Sequence, residues 1–250
     1  MRPGKIVTTI FIVCICISLN GTAQKGPSFI GITGGLSIPT GNWAKSNFVS
    51  SVSGFASDPS GYAKKGGIGG VEGAYFFSKH FGIGALASYA TYRTNIDPLS
   101  EGYQDSFDVD QVTTTAGTYR IWNFMPGLYF SIPVWKKLAL TARGLAGISH
   151  ATTPSISVDV EDGGIDDGTF EQKEASKTAF AFDLGAGFSY PVLKCFAISL
   201  KADYFNTKPD FTIENTQRQN SAGRLIDSYD QPLSAFNFTL GIAYVFGKNK

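Results

Sequence analysis

Eight stretches of this 250-residue chain alternate large apolar residues with small or polar ones, position by position. A period of two sends successive side chains to opposite faces of a strand, so it argues against helix over the same residues. The cleanest stretch sets Phe236, Phe238, Leu240, Ile242, Tyr244 and Phe246 against Asn237, Thr239 and Gly241. Another sets Phe180, Phe182, Leu184, Ala186, Phe188 and Tyr190 against Asp183, Gly185, Gly187 and Ser189. The remaining six lie near 28–39, 67–77, 81–93, 119–132, 138–149 and 196–204. Leu86 interrupts the pattern of the third stretch, where Ser88 and two glycines otherwise hold the polar face.

The connections between stretches alternate in length. Ser78-Lys79-His80 joins the second and third, and turns at 133–137 and 191–195 join the fourth to the fifth and the sixth to the seventh. The other connections, about 40–66, 94–118, 150–177 and 206–234, are long and polar and are expected to be loops. One hairpin repeats without a gap. Residues 130–143 match 188–201, each copy running through a Pro-Val-x-Lys turn and aligning Arg143 with Lys201. Short turns on one rim and long connections on the other predict an all-β, eight-stranded, antiparallel up-and-down barrel that crosses a membrane. The predicted barrel domain is 24–250.

Composition agrees. Charged residues make up 16% and aromatics 14%, yet mean hydropathy is +0.00, too low for a bundle of membrane helices. Strands with one lipid face and one lumen face average out in this way. A net charge of +1 gives no field that would attract nucleic acid. Residues 1–23 read as a cleavable secretory signal: Arg2 and Lys5 precede an apolar core, and Gly21 and Ala23 supply small residues before cleavage at Gln24. Cys195 is then the one cysteine of the mature chain, so neither an internal disulfide nor a cysteine-based metal site can be built.

Charge decides which face is inside. Glu72, Arg143, Asp183, Lys201 and Asp203 all fall on the small, polar side of their stretches. Facing lipid at mid-membrane, Arg or Lys would cost about 2–4 kcal/mol each. Turned inward, three acids and two bases can pair across a narrow lumen. The five are therefore expected to form a lumen charge network, and glycine, serine and these ion pairs to plug the interior. Apolar residues point outward, with aromatic belts near both rims, whereas a soluble barrel would carry its apolar face within.

The signal, the Pro133 and Pro191 turns, Asn123-Phe124-Met125-Pro126-Gly127-Leu128 and the closing Leu240-Gly241-Ile242-Ala243-Tyr244-Val245-Phe246 carry a resemblance. The chain resembles the small outer-membrane β-barrel proteins of OmpX or OmpA-barrel type, in the style common in Bacteroidota. That resemblance implies residence in the outer membrane among lipid and lipopolysaccharide. It also implies insertion by the outer-membrane assembly machinery, which reads an aromatic-ended last strand. Its motifs speak to the barrel and not to activity; the expected activity is non-enzymatic, a plugged barrel with a structural or adhesive role, or one contacting an extracellular ligand through its four long loops.

Two other readings are weighed. Some barrels of this kind modify lipid A acyl chains, and His150 beside Ser149 is the candidate pair; His80 lies in a short turn, at the wrong rim. Adjacent strand residues point to opposite faces, which counts against that pair. The other is a narrow channel for small or apolar solutes. The acid-rich stretch 157–174 could hold Ca²⁺ but lacks the EF-hand spacing, and a solvated loop is the expectation there. Asp58-Pro59-Ser60-Gly61 reads as a turn. No P-loop, dinucleotide fingerprint or zinc motif is present, so no cofactor is expected.

Overall fold

The computed structural model describes residues 26–47, 60–107, 111–162, 165–217 and 225–247. The expected signal and its cleavage point lie outside these residues, as do Asp58 and Pro59. Eight strands close into a barrel: β1 (Ser28–Thr40), β2 (Ala63–Phe76), β3 (Phe81–Thr94), β5 (Thr118–Trp135), β6 (Leu138–Thr152), β9 (Ser176–Pro191), β10 (Phe196–Thr207) and β13 (Leu233–Phe246). Each is antiparallel to its neighbours, and the cylinder shuts where β1 pairs with β13, from Ser28 opposite Phe246 to Thr40 opposite Ser234. Closure leaves no barrel strand with an unpaired edge, which is what allows a sheet to stand in hydrocarbon.

The wall is inside out relative to a soluble protein. Phe180 is 69% exposed and Leu128 67%, whereas Asp183 on the opposite face is 1% exposed. Fully exposing a large apolar side chain to water forgoes about 1.5–3 kcal/mol, so this surface is stable only against hydrocarbon. Rings gather at both ends. Phe81 lies 5.0 Å from Phe130 and Phe196 5.7 Å from Tyr244 near the short turns; Tyr89 lies 4.3 Å from Trp122 and Tyr204 5.3 Å from Phe236 near the other rim. Among the described residues no helix is long and apolar enough to cross a membrane. An arginine at outward-facing Leu240 is expected to cost about 2–4 kcal/mol, read as the shift in urea unfolding of the vesicle-embedded barrel.

The long connections differ from expectation. Instead of loops, three of the four supply a second, five-stranded sheet, in the order β12 (Leu225–Asp230), β11 (Asp210–Gln217), β8 (Ile165–Gln172), β7 (Ile156–Asp162) and β4 (Gln111–Ala116). The acid-rich stretch is thus the β7–β8 hairpin. Its first strand alternates as Ile156, Val158 and Val160 against Ser157 and Asp159, a pattern masked in the sequence by the density of acids. Helix α1 (Asp97–Phe107) packs beside β4, and its Leu99 and Tyr103 bury in one cluster with Val158, Val160 and Tyr62. Burial there pushes the Tyr103 phenol above its ordinary value. Long connections with this much apolar content can pay the entropy of ordering.

Candidate functional site

The barrel interior has three levels, set by which inward positions are large, charged or small. The middle level joins all five predicted charges. Arg143 of β6 donates from Nη1 to Glu72 Oε2 of β2 at 2.6 Å and from Nε to Asp203 Oδ1 of β10 at 2.9 Å. Its Nε also lies 3.3 Å from Asp183 Oδ1 of β9, and Lys201 forms an ion pair with Glu72. These side chains are all buried, with Arg143 only 7% exposed. One guanidinium therefore ties together four strands, two of which face each other across the lumen.

Glycine makes room for this cluster. Gly185 pairs with both Arg143 and Asp203, and a Cβ there would land on the Asp203 carboxylate; one at Gly187 would press on Lys201. Just beyond the cluster, a cavity of about 10 Å³ is lined by Ser88, Asn123, Asp183 and Asp203 among others. Asn123 Oδ1 and Asp203 Oδ2 have no hydrogen-bond partner within the protein, and Asp183 Oδ1 has only its ion pair with Arg143. A space of that size takes about one water molecule, which needs two to four polar partners.

Toward the second sheet the lumen is closed by apolar packing, which the sequence reading did not anticipate. A 3₁₀ turn at Gly41–Ala44, just after β1, carries Trp43 inward to 0% exposure. Its indole stands edge-on to Tyr92 at 4.4 Å and to Tyr119 at 5.7 Å. The Tyr119 hydroxyl donates to the Gly61 carbonyl at 2.9 Å, and a Cβ on Gly61 would strike Trp43. Leu86, the residue that interrupted its stretch, points inward at 4% exposure with Ile121, Met125 and Leu145, so the strand keeps its phase. The plug is thus aromatic and aliphatic at this end, and glycine and serine are only its spacers. An isolated Trp within a polar connection was the one available sign.

At the short-turn end the lumen opens into a cavity of about 300 Å³, with Glu72, Arg143, Lys201 and Asp203 at its charged end and Lys136 and Lys137 of the β5–β6 turn also lining it. The expectation of an interior filled throughout is corrected here. On β6 and β10 the inward positions near this end are small, as at Ala139, Thr141, Ala197 and Ser199, so they do not reach across to Phe29, Phe76 and Tyr129 and fill the axis.

The histidines stand apart from all three levels. Ser149 is 1% exposed and faces in, while His150 is exposed and its Nδ1 lies 3.0 Å from Thr178 Oγ1. His80 meets the Ser131 carbonyl through Nδ1 at 2.9 Å. Among the described residues no three His, Cys, Asp or Glu side chains are grouped to hold a metal ion.

An apolar belt outside, buried charges inside and full closure define an integral membrane barrel of eight strands. The chain belongs to the outer membrane protein beta-barrel domain family, whose model matches residues 9–246, and so it is an outer-membrane protein. Among solved structures it is similar to Ail, the attachment invasion locus protein of Yersinia pestis, at 15% identity over 89% of this chain and 99% of that one, with a TM-score of 0.41. It is similar also to OprG from Pseudomonas aeruginosa, at 13% identity over 90% and 98%, with a TM-score of 0.46. Outer Membrane Protein W of E. coli gives 14% identity over 89% and 100%, with a TM-score of 0.33. No curated protein sequence matches the chain.

Proposed function

We propose that this protein is a non-enzymatic outer-membrane barrel with a closed lumen, which acts through the sheet built from its long connections. In outer-membrane barrels the short turns face the periplasm and the long connections face outward. The observation that carries the reading is that three of these connections form an ordered sheet beyond the barrel rim, backed by α1. A rigid scaffold that holds irregular segments at fixed positions is the usual way such segments come to bind. The five-membered charge network then serves as an internal brace, lipid and lipopolysaccharide surround the belt, and the assembly machinery reads the strand ending at Phe246.

The hairpin is the strongest candidate contact. Residues 157–174 hold seven carboxylates against Lys173, so the partner it favours is cationic. Cells displaying the protein should adhere to a polylysine-coated surface, and cells whose 156–172 segment is replaced by a short turn should not. Added salt should erase the difference, because exposed charges are screened within about 10 Å at 0.1 M. Equal adhesion of both strains at low salt would remove the hairpin from the function.

A lipid A-modifying activity has little support, because Ser149 and His150 point to opposite sides of the wall. Mass spectra of lipid A should be the same with and without the gene. An acyl-chain difference that His150→Ala abolishes would overturn the non-enzymatic reading.

A further inference from the structure

We propose that the short-turn mouth of the barrel is a binding site for a single-chain anionic amphiphile, with its tail in the 300 Å³ cavity and its head group on Lys136 and Lys137. This site lies at the opposite end from the second sheet, and it stands or falls independently of what that sheet contacts.

The walls carry the first part. Phe29, Phe76, Ala139, Ala197, Ala243 and Val245 line the cavity, and they present mainly hydrocarbon. Small-molecule sites run from about 300 to 1,000 Å³ and are mostly apolar with a few placed polar groups. The volume here, about 300 Å³, sits at the lower end of that range and leaves room for one chain rather than two. Depth agrees. From Ala139 to Arg143 the wall runs four residues, roughly 13 Å at about 3.3 Å per residue. Between the charged inner end and the mouth most of the exposed wall is hydrocarbon, so a hydrocarbon chain is the occupant that stretch of surface fits.

The charges carry the second part. Along the inner end, Glu72, Arg143, Lys201 and Asp203 supply two acids and two bases, and Arg143 and Lys201 are already engaged with carboxylates. That end therefore offers an incoming ion no unpaired cation. The mouth is different. The three short turns contain four lysines, Lys79, Lys136, Lys137 and Lys194, and no Asp or Glu. Lys136 and Lys137 both line the cavity and are exposed. A head group placed there meets only positive charge, which selects an anion over an ammonium.

The test uses the full mature chain in lipid nanodiscs, titrated by calorimetry with empty nanodiscs as the blank. Dodecanoate and a lauroyl lysophosphatidylglycerol provide a carboxylate and a phosphate head on the same tail, and dodecylammonium reverses the charge. Saturable binding near one per barrel is expected for at least one of the two anions, and the tighter of them names the head group. Lys136→Glu with Lys137→Glu should weaken it roughly tenfold or more, since two favourable rim charges become repulsive. Ala197→Phe should abolish it by filling the cavity. Should that variant fail to fold, as judged by its far-ultraviolet circular dichroism, Ser199→Leu serves in its place. The proposal is overturned if neither anion saturates above the blank, if the filled-cavity variant binds like the wild type, or if dodecylammonium binds as tightly as dodecanoate.

Discussion

Arg143→Met is expected to destabilise the barrel by about 3–5 kcal/mol, the range for breaking a buried ion pair on one side. The guanidinium is the shared partner of three carboxylates whose side chains are at most 2% exposed. Without it Glu72 keeps Lys201, but Asp183 remains a buried anion with no cation among the contacts the structure gives it, and Asp203 is left only the attraction of Lys201, which is already paired with Glu72. Urea unfolding in lipid vesicles, followed by tryptophan fluorescence, measures the loss. A companion variant separates pairing from packing. Arg143→Met combined with Asp183→Asn and Asp203→Asn retains the Glu72–Lys201 pair and removes the orphaned charges. It should recover most of the lost stability, since replacing a whole buried ionic group is often neutral. A single variant within about 1 kcal/mol of the wild type, the level of an exposed pair, would mean that water reaches the network and the lumen is wet at mid-membrane.

Trp43→Ala carries the other large effect, again about 3–5 kcal/mol, because truncating a fully buried Trp adds a cavity to the lost transfer free energy. The indole is 0% exposed and anchors Tyr92 and Tyr119, so its removal should also loosen the 3₁₀ turn that follows β1. Conductance distinguishes a cork from a mere core residue. In planar bilayers both the wild type and Trp43→Ala should be silent, because the charge network still blocks the path one level deeper. Trp43→Ala with Arg143→Ala should show discrete openings. Openings in the wild type would contradict a closed lumen and favour a conduit for small solutes.

The strand phases were legible residue by residue because every barrel strand faces two unlike solvents. Lipid on one side and a narrow interior on the other force a side chain's polarity to report its direction, as at Phe182, Asp183 and Leu184 in succession. The five network residues could be picked out for the same reason: an ionised group on those strands has one tolerable direction. Leu86 and Trp43 show the limit of the rule. The lumen is not uniformly polar, and an inward apolar residue is readable only when its neighbours across the axis are known. The second sheet was missed for a related reason. The segments at 111–116 and 156–162 are short, and acids crowd the alternation of the latter, so its strand signal fell below that of the barrel wall.

The amino-acid order alone determined the architecture, the membrane setting and the inward direction of the charges, since each follows from the local contrast between successive side chains. Only the tertiary structure decided which groups meet. That Arg143 spans to Glu72, that Trp43 returns to seal one mouth, and that small residues leave a cavity at the other depend on how far the cylinder's curvature brings distant strands together. Distance across a lumen is a property of closure, and no single strand encodes it.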